Sequence, residues 1–374
     1  MAITVAEIDA NCIRHNLKII RELTNGKSSI LAMVKANGYG HSMLDVARVF
    51  RKEKVEYLGV AIVEEARKLR ENGDLGKILV MVSPEPKDAD FFIDNNVETA
   101  FSSFKILEHF AKRAAERNST ITGHLYLDTG MHRDGISCER ALEFMEFVRK
   151  NPQIQIVGLM THLATADMPE IDFANVQISL FEKTRMMLAD KGFNFKYCHV
   201  ANSAGILNYP EAHYNLVRPG ISLYGHMPTA EMAKQIDLKP VMRWTSKVML
   251  IKDIKKGSTV GYGMTYIAPK DTKIAIIPVG YGDGLLRSLS NNYQCLINGK
   301  RYNNVGSICM DEFMVDLGSG EDVKLCDEVV ILGQQGNEEI LPYEIADKTN
   351  SIPYEITSNV SGRVKKILVN EEVK

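Results

Sequence analysis

The stretch Met33-Val34-Lys35-Ala36-Asn37-Gly38-Tyr39-Gly40-His41 decides how this chain is interpreted. It continues an apolar run that begins at Ile30, which is typical of a buried strand, and a helical pattern begins near Ser42. Lys35 therefore stands where a buried strand ends. Burial lowers the pKa of an ammonium group, and a neutral amine is a nucleophile toward carbonyl groups. Such a lysine could form a Schiff base with pyridoxal phosphate (PLP), although an ordinary lysine that extends into solvent from a strand–helix turn explains the same spacing.

Composition excludes several classes of protein. The chain has 374 residues, enough for two domains or for one large barrel with an appendage. A net charge of −2 and a charged fraction of 25% predict binding to neither nucleic acid nor an anionic membrane. We find no run long enough for a membrane span and no signal-peptide pattern at the N-terminus. Six scattered cysteines favour reduced thiols in the cytoplasm over a disulfide framework or a metal site.

Strand and helix patterns alternate from about residue 10 to residue 225. Amphipathic segments span 63–72, 104–117, 141–150 and 173–191. The apolar runs between such segments end at Lys35, Ala61, Ser83, Phe101, Asp128, His162, Asn202 and Arg218. Eight strands that alternate with helices predict an α/β fold with an N-terminal (β/α)8 barrel of the TIM type. In that fold the active site lies at the C-terminal ends of the strands, so the polar residues at these ends are expected to share one face.

The pattern changes after Leu238, where short alternating runs separated by turn residues replace the helices. Asn298-Gly299 is a strong hairpin signal. The expected strands span 241–254, 273–278, 294–297, 304–308, 313–316 and 328–332. We therefore predict two domains, with residues 1–237 forming the barrel and residues 238–374 forming a mostly β C-terminal domain. Residues 1–9 could join the β domain instead, because they also alternate.

Nine short motifs occur in one order along the chain. They are VKANGYGH at 34–41, DTGMHRDG at 128–135, THLATAD at 161–167, HVANS at 199–203, VRPGISLYG at 217–225, GYG at 261–263, GYGDG at 280–284, GSICMD at 306–311 and PYE at 353–355. In this order and spacing they resemble the alanine racemase family of fold-type III PLP enzymes. The resemblance covers nearly the whole chain, both predicted domains included. It implies a PLP-dependent amino-acid racemase, a homodimer with shared active sites, that supplies D-alanine for cell-wall synthesis.

The resemblance assigns the cofactor site. Lys35 matches the lysine that holds PLP in a Schiff base and then serves as one catalytic base. Arg218 matches the arginine that faces the pyridine nitrogen, and since a guanidinium keeps its proton, that nitrogen stays unprotonated and side reactions are limited. His162 matches a histidine that packs on the ring and contacts Arg218. The residues that match the phosphate cradle, where hydroxyl and N–H groups suit a dianion, are Tyr39, Ser203, Gly220, Ile221 and Tyr354.

The second base is implied to be Tyr262, donated by the partner subunit, so that two bases flank the substrate Cα. A free tyrosine has a pKa of about 10. A cationic neighbourhood made by Arg218 and His162 is therefore expected to lower it.

The remaining matches concern the substrate. Arg133 matches the arginine that binds the cofactor phenolic oxygen and the substrate carboxylate. The Met310 backbone N–H is implied to bind that carboxylate as well, on a partner-side loop that Asp311 orients. Tyr281 and Tyr354 match aromatic residues that narrow the entrance.

The sequence departs from the family pattern near this arginine. Tyr126 stands where the family commonly has a lysine, often carbamylated, that braces Arg133, and Ser307 stands where arginine is common. Without the charge of a carbamate, Arg133 is expected to be neutralised by a bound anion such as chloride or by another carboxylate, for which Asp134 is a candidate.

Two sets of alternatives stay open, one about the substrate and one about the class of protein. Tyr126 and Ser307 allow a racemase that prefers serine or a broader set of amino acids. Fold-type III decarboxylases share the layout but usually place a carboxylate opposite the pyridine nitrogen, and Arg218 argues against them. Non-catalytic PLP-binding proteins usually lack the β domain and the partner tyrosine.

Overall fold

The computed structural model describes residues 3–319 and 322–371, which divide into two compact units. One unit comprises residues 16–38 and 43–223. The other comprises the described parts of residues 1–15, 39–42 and 224–374. The domain boundary predicted after residue 237 stays a prediction.

Ten strands precede residue 224 in the described chain. They are β1 Val5–Asp9, β2 Ser29–Met33, β3 Tyr57–Val60, β4 Lys77–Val80, β5 Glu98–Phe101, β6 Ile121–Asp128, β7 Ile136–Ser137, β8 Ile154–Met160, β9 Tyr197–His199 and β10 Leu216–Val217. Within the first unit the parallel order is β10-β2-β3-β4-β5-β6-β8-β9, with β7 beside β6. Just past the two end strands, the Arg218 N–H donates to the Ala201 carbonyl at 2.9 Å, so the barrel is nearly closed.

Helices alternate with these strands as the sequence predicts. They span Ala10–Leu23, Met43–Lys52, Val63–Glu71, Ala89–Asn95, Phe104–Glu116, Ala141–Lys150, Phe173–Asp190 and Ser203–Asn208. Strands such as β3 are buried at every position, because helices cover the outside of the barrel and side chains fill its interior. The predicted (β/α)8 barrel is confirmed.

The second unit is built mainly from sheet. Its later strands are β11 Met242–Lys247, β12 Leu250–Ile254, β13 Thr259–Val260, β14 Tyr266–Ile267, β15 Thr272–Ile277, β16 Gln294–Ile297, β17 Lys300–Asn303, β18 Phe313–Gly318, β19 Glu328–Gln335, β20 Glu338–Ile340 and β21 Lys365–Val369. The main sheet has the order β17-β16-β19-β11-β1-β21, with β20 beside β19, and smaller sheets join β12-β15-β18 and β13-β14. Its helices span Ala230–Ala233, Pro342–Thr349 and Pro353–Ser358. The mostly β character predicted for the C-terminal part is confirmed.

The predicted hairpin is present, one predicted strand is wrong, and the strand expected at 241–254 is divided into β11 and β12, which belong to different sheets. Asn298 and Gly299, with φ of 52° and 73°, form the two-residue turn between β16 and β17. The strand expected at 304–308 is absent from the described structure, where only Asn304 makes a single bridge. The chain pairs over Lys300–Asn303 instead. That segment is polar throughout, so its sequence gives no alternating signal.

Among the described residues, no helix combines the length and the apolar character that a bilayer span requires.

The hairpin turn gives a stability prediction. Gly299→Ala should lower the free energy of unfolding by about 1 kcal/mol, because a Cβ disfavours positive φ. The added Cβ would lie 3.7 Å from the Gln335 carbonyl oxygen, an ordinary contact, so the loss is conformational and not steric. Gly362→Ala is the control, since its Cβ would meet nothing within 4 Å and its φ is not positive. Equal urea-unfolding midpoints for the two variants would contradict this account.

Candidate active site

Lys35 lies two residues after the end of β2, where a strained turn begins. The Gly38 N–H donates to the Val34 carbonyl at 2.8 Å. Ala36, Asn37 and Gly38 all have left-handed backbone, with φ of 51°, 53° and 67°. Left-handed backbone costs a non-glycine residue about 1–2 kcal/mol. Strain of this kind is characteristic of functional sites.

Glu65 holds this turn from the next strand–helix connection. One of its carboxylate oxygens accepts the Ala36 N–H at 2.7 Å, and the other accepts the Ala61 N–H at 2.8 Å. These charge-assisted bonds offset part of the strain. The sequence did not single Glu65 out, because an acidic residue in the first turn of a helix is ordinary.

The surroundings of Lys35 favour its neutral form. Burial lowers the pKa of Lys35 most, and the Arg133 and Arg218 guanidiniums lower it further against the opposing carboxylates of Glu65 and Asp134. The lowered pKa that the sequence led us to expect is confirmed. A lowered pKa raises the fraction of neutral amine, which is the form that attacks an aldehyde.

Arg218 is fixed by its two terminal nitrogens and is only 2% exposed. Nη1 donates to the His199 carbonyl at 2.7 Å and lies 3.0 Å from His199 Nδ1. Nη2 donates to the carbonyls of Thr161 at 2.7 Å and Val200 at 3.1 Å, and lies 3.2 Å from His162 Nδ1. Within residues 3–319 and 322–371, Nε has no hydrogen-bond partner. The Nε–H is therefore a rigidly held donor.

Arg218 has the charge that the sequence led us to expect, but His162 does not. Burial lowers the pKa of Arg218 to about 10, so the guanidinium stays protonated near neutral pH. Burial and then the charge of Arg218 lower the pKa of His162 well below its ordinary value, so His162 is neutral. The expectation that His162 adds to a cationic neighbourhood is wrong, and of these two residues only Arg218 is charged.

Three of the predicted phosphate-cradle residues come together in the barrel unit. The Gly220 N–H donates to the Ser203 hydroxyl at 2.9 Å, and the Ser222 N–H donates to it at 3.3 Å. The Ser203 and Ser222 hydroxyl oxygens are 3.0 Å apart. Ile221 lies between these N–H groups and is buried. Clustered N–H and hydroxyl groups of this kind are the donor set that a phosphate requires.

Tyr39 and Tyr354 belong to the other compact unit. Their ring centroids are 6.1 Å apart, and Tyr39 also stacks on Tyr224 at 5.0 Å. The neighbouring Gly40 packs so closely that a Cβ there would lie 2.0 Å from the Thr357 carbonyl oxygen. Tyr39 is thus held in a fixed position within its own unit.

Tyr262 and Met310 lie on an exposed surface of the same β unit, with 75% and 52% of their areas accessible. The Ser307 hydroxyl donates to the Tyr262 carbonyl at 2.9 Å. The Tyr281 N–H donates to the Cys309 carbonyl at 3.0 Å. These bonds tie the tyrosines and the methionine loop into one surface, which we call the tyrosine surface and define by residues 261–264, 281 and 307–311.

Asp311 lies on this surface beside Arg363, a cation that the sequence did not single out. Its carboxylate accepts from Arg363 Nη2 at 2.8 Å, and Arg363 Nε lies 3.4 Å from Asp283. Asp283 in turn accepts the Gly280 N–H at 3.0 Å. Arg363 therefore links the loop that carries Asp311 to the loop that carries Tyr281.

Arg133 lies in a loop shaped by Asp128, which accepts the N–H groups of Gly130 at 2.9 Å and His132 at 3.0 Å. The Arg133 side chain is 55% exposed, and its Nε donates to Asp134 at 3.2 Å. The Asp134 carboxylate, one of the groups expected to neutralise Arg133, therefore lies beside it.

Tyr126 lies buried in the barrel, with 4% of its area exposed. Burial raises the pKa of Tyr126, and the guanidiniums of Arg218 and Arg133 oppose that rise. The tyrosine is therefore a neutral neighbour of two cations.

The donors of the barrel unit fit PLP. Lys35 offers an amine for the aldehyde, and Arg218 offers a fixed N–H for the ring nitrogen. Ser203 and Ser222 offer hydroxyl groups for the phosphate, and the N–H groups of Gly220 and Ser222 hold the Ser203 hydroxyl in place. A (β/α)8 barrel with this donor set at its strand ends, followed by a mostly β unit, defines a PLP enzyme of the barrel class.

Comparison with known proteins specifies the family. Residues 8–228 match the family model described as alanine racemase, N-terminal domain, and residues 241–368 match alanine racemase, C-terminal domain. The alanine racemase of Carboxydothermus hydrogenoformans is 38% identical over 365 residues, which cover 97% of this chain and 99% of that protein. The crystal structure of alanine racemase from D-cycloserine-producing Streptomyces lavendulae matches with a TM-score of 0.94 at 31% identity, covering 100% of this chain and 98% of that one. The chain belongs to the alanine racemase family, whose members are PLP-dependent isomerases.

A further structural relative bears on specificity. A histidine racemase from Leuconostoc mesenteroides subsp. sake matches with a TM-score of 0.90 at 29% identity, covering 98% of each chain. The same fold thus occurs in a racemase named for another amino acid. The fold alone does not set substrate preference.

The neighbours of Tyr126 generate a prediction about carbamylation. Tyr126→Lys should acquire a carbamate, because burial beside Arg133 and Arg218 would keep the new amine neutral and reactive toward CO2. The measurement is ¹³C NMR of the protein equilibrated with ¹³C-bicarbonate.

Wild type and Tyr126→Phe are the controls, and both should lack the new carbamate signal. A variant that folds but stays free of carbamate at saturating bicarbonate would show that this pocket does not favour the neutral amine. A carbamate signal of equal intensity in Tyr126→Phe would place the modification elsewhere.

Proposed function

We propose that the protein interconverts L- and D-alanine by two-base proton transfer at Cα. The observation that carries the proposal is the pairing of a lysine amine of lowered pKa with the fixed Nε–H of Arg218 at the strand ends of the barrel. Membership of the alanine racemase family supports it. When bound, PLP supplies an electron sink that makes the substrate Cα–H acidic.

The barrel residues divide this work. Lys35 holds the cofactor and serves as one base, a role that its lowered pKa favours. Arg218 would donate to the ring nitrogen of the bound cofactor without protonating it, since a guanidinium keeps its proton near neutral pH. Ser203, with Gly220 and Ile221 beside it, would hold the phosphate of the bound cofactor.

Tyr262 serves as the second base, and it does so from a second copy of the chain in a homodimer. Three neighbouring side chains on and beside the tyrosine surface, Tyr262, Met264 and Ile267, are 75%, 65% and 62% exposed. Aromatic and aliphatic groups this exposed are typical of a surface that binds a protein partner. Met310 and Asp311 occupy the same surface, so a partner that brings Tyr262 to the site brings the carboxylate-binding loop with it.

Alanine is the substrate we favour, because relatives across the chain's whole length are named alanine racemase. Arg133 binds the substrate carboxylate. A preference for serine or for several amino acids is the second candidate. The histidine racemase supports it, because that protein has the same fold and is named for another substrate. The Ser307 hydroxyl is already engaged by the Tyr262 carbonyl, which argues against its use in binding a polar substrate.

The assay that tests the substrate follows both enantiomers of alanine, serine and histidine by chiral chromatography after incubation in deuterated water. Alanine should have the largest kcat/KM, with deuterium incorporated at Cα. A larger kcat/KM for serine or histidine would overturn the choice of alanine while leaving racemisation in place.

The proposed setting is the cytoplasm, where D-alanine enters cell-wall synthesis. All six cysteines have free thiols, which is typical of a reducing compartment.

The lysine assignment gives a prediction. Borohydride reduction followed by peptide mapping should label Lys35 in the wild type and nothing at that position in Lys35→Ala. Racemase activity should fall on the order of 10³-fold in the variant, because it loses both the covalent link and one base. Lys68→Ala, on a barrel helix, should keep the label and the activity. A label on another lysine in the wild type would refute the assignment.

Shared active sites give a complementation prediction. Lys35→Ala and Tyr262→Phe chains are each expected to be inactive, but a mixed dimer keeps one site with both bases. Random exchange makes half of the dimers mixed, so about a quarter of wild-type activity should return.

The matched control mixes Lys35→Ala with Arg218→Ala, two changes in the same barrel, which should restore no activity. Native mass spectrometry reports the exchange of subunits. Mixed dimers of Lys35→Ala and Tyr262→Phe that remain inactive would contradict the shared site.

A further inference from the structure

A chain of buried polar side chains crosses the barrel interior from Arg218. His199 Nε2 lies 2.7 Å from His124 Nδ1, and His124 Nε2 lies 2.9 Å from Glu98 Oε2. The Tyr57 hydroxyl donates to both oxygens of Glu98, at 3.1 and 3.0 Å. The two histidines and the tyrosine are fully buried, and Glu98 is 8% exposed. Barrel interiors are usually filled by branched apolar side chains, so this chain of polar groups calls for a physical reason.

The donors and acceptors fix where each proton lies. A guanidinium has no acceptor, so His199 Nδ1 accepts from Arg218 and the proton of His199 is on Nε2. That Nε2–H donates to His124 Nδ1, which places the proton of His124 on its own Nε2. The Nε2–H of His124 then donates to Glu98. A second proton on either ring would face another N–H at hydrogen-bond distance, so both imidazoles are neutral.

At the Tyr57 end of this series of hydrogen bonds, the donor also faces Glu98. Burial, and then the negative charge of Glu98, raise the pKa of Tyr57, so its hydroxyl keeps the proton and donates it. Glu98 thus accepts hydrogen bonds from both sides. The N–H that Arg218 donates to His199 Nδ1, the Nε2–H of each histidine and the Tyr57 O–H therefore all point toward this one carboxylate.

The energetic reason lies in the burial of Arg218. A buried charge without a counter-charge is costly, and hydrogen bonds to carbonyl dipoles compensate only part of that cost. Hydrogen bonds in a low-dielectric interior polarise one another, so a carboxylate two imidazoles away strengthens the acceptor that faces the guanidinium.

We propose that Glu98 is a positioning residue for Arg218, acting through the fixed Nε2–H tautomers of His124 and His199. The carboxylate orients the chain of protons, the chain makes His199 Nδ1 an acceptor, and that acceptor holds the guanidinium with its Nε–H free to donate. The part of this inference that concerns catalysis rests on the proposed racemase function. The predicted tautomers of His124 and His199 are independent of that function.

The first experiment measures the tautomers directly. Long-range ¹H–¹⁵N correlation spectra of the holoenzyme with ¹⁵N-labelled histidine distinguish the two neutral tautomers from imidazolium, and His124→Gln and His199→Gln assign the signals. Both rings should be neutral with the proton on Nε2. A proton on Nδ1 of either ring, or on both nitrogens, would overturn the proposal whatever the enzyme's substrate.

The second experiment removes the charge and keeps the shape. Glu98→Gln retains an acceptor oxygen for His124 but has no negative charge. The dissociation constant for PLP, from titration of the apoenzyme followed by absorbance, should rise and kcat should fall by roughly ten- to a hundredfold, as for other outer partners of a catalytic group. The KM for alanine should change by less than about twofold, because Arg218 is assigned to the cofactor and not to the substrate.

Glu182→Gln is the matched control. Glu182 also lies in the barrel unit and accepts from Arg185 Nη2 at 2.7 Å and from the Tyr214 hydroxyl at 3.1 Å, and neither partner belongs to the series of hydrogen bonds from Arg218 to Tyr57. It should lower the thermal midpoint without changing the tautomers, PLP affinity or kcat. Equal losses of PLP affinity in the two variants, or none in Glu98→Gln, would show that Glu98 has a structural role only. Should racemisation itself be absent, the tautomers and PLP affinity still decide this proposal.

Discussion

Burial of the Arg218 guanidinium is the constraint on which the rest of the structure depends. Its terminal nitrogens donate to the carbonyls of His199, which ends β9, and of Thr161 and Val200, which directly follow β8 and β9. Its backbone N–H donates to Ala201 where the barrel nearly closes. One residue therefore both joins the strand ends and orients a donor toward the site. A smaller or neutral side chain here would leave several buried carbonyls without partners, which is itself costly.

The same charge determines the chemistry of its neighbours. Lys35 and His162 lie close enough to Arg218 that its charge lowers the pKa of both, in addition to the effect of burial. The lysine gains nucleophilic character, and the histidine becomes a neutral ring that can pack on an aromatic cofactor. The strained turn after Lys35, held by Glu65, fixes the amine in this field. The lowered pKa of Lys35 thus follows first from burial and then from the enforced proximity of like charges, and not from any property of lysine alone.

Sequence patterns predict what depends on neighbours in the chain. The four amphipathic segments, the eight apolar runs and the Asn298-Gly299 turn were all readable, because each signal lies within one element. Strand Lys365–Val369 was not predicted, since its order comes from pairing with β1 more than 350 residues away. Glu98 and Glu65 were missed for a related reason, because a carboxylate acquires its role only from groups that the fold brings to it. The charge of His162 was predicted wrongly because residue type does not report burial.

Arg133 is held less firmly by the protein here than in relatives that have a carbamylated lysine at the position of Tyr126. An exposed ion pair such as Arg133–Asp134 contributes about 0–1 kcal/mol, and a neutral buried Tyr126 can add a hydroxyl hydrogen bond of about 1 kcal/mol. Neither holds a half-exposed arginine as firmly as a buried anion would. On the proposed assignment of Arg133 to the substrate carboxylate, that ligand sets most of its orientation, and the arginine is ordered as the ligand arrives. Lys35 and Arg218, by contrast, are positioned by the fold before any ligand is present.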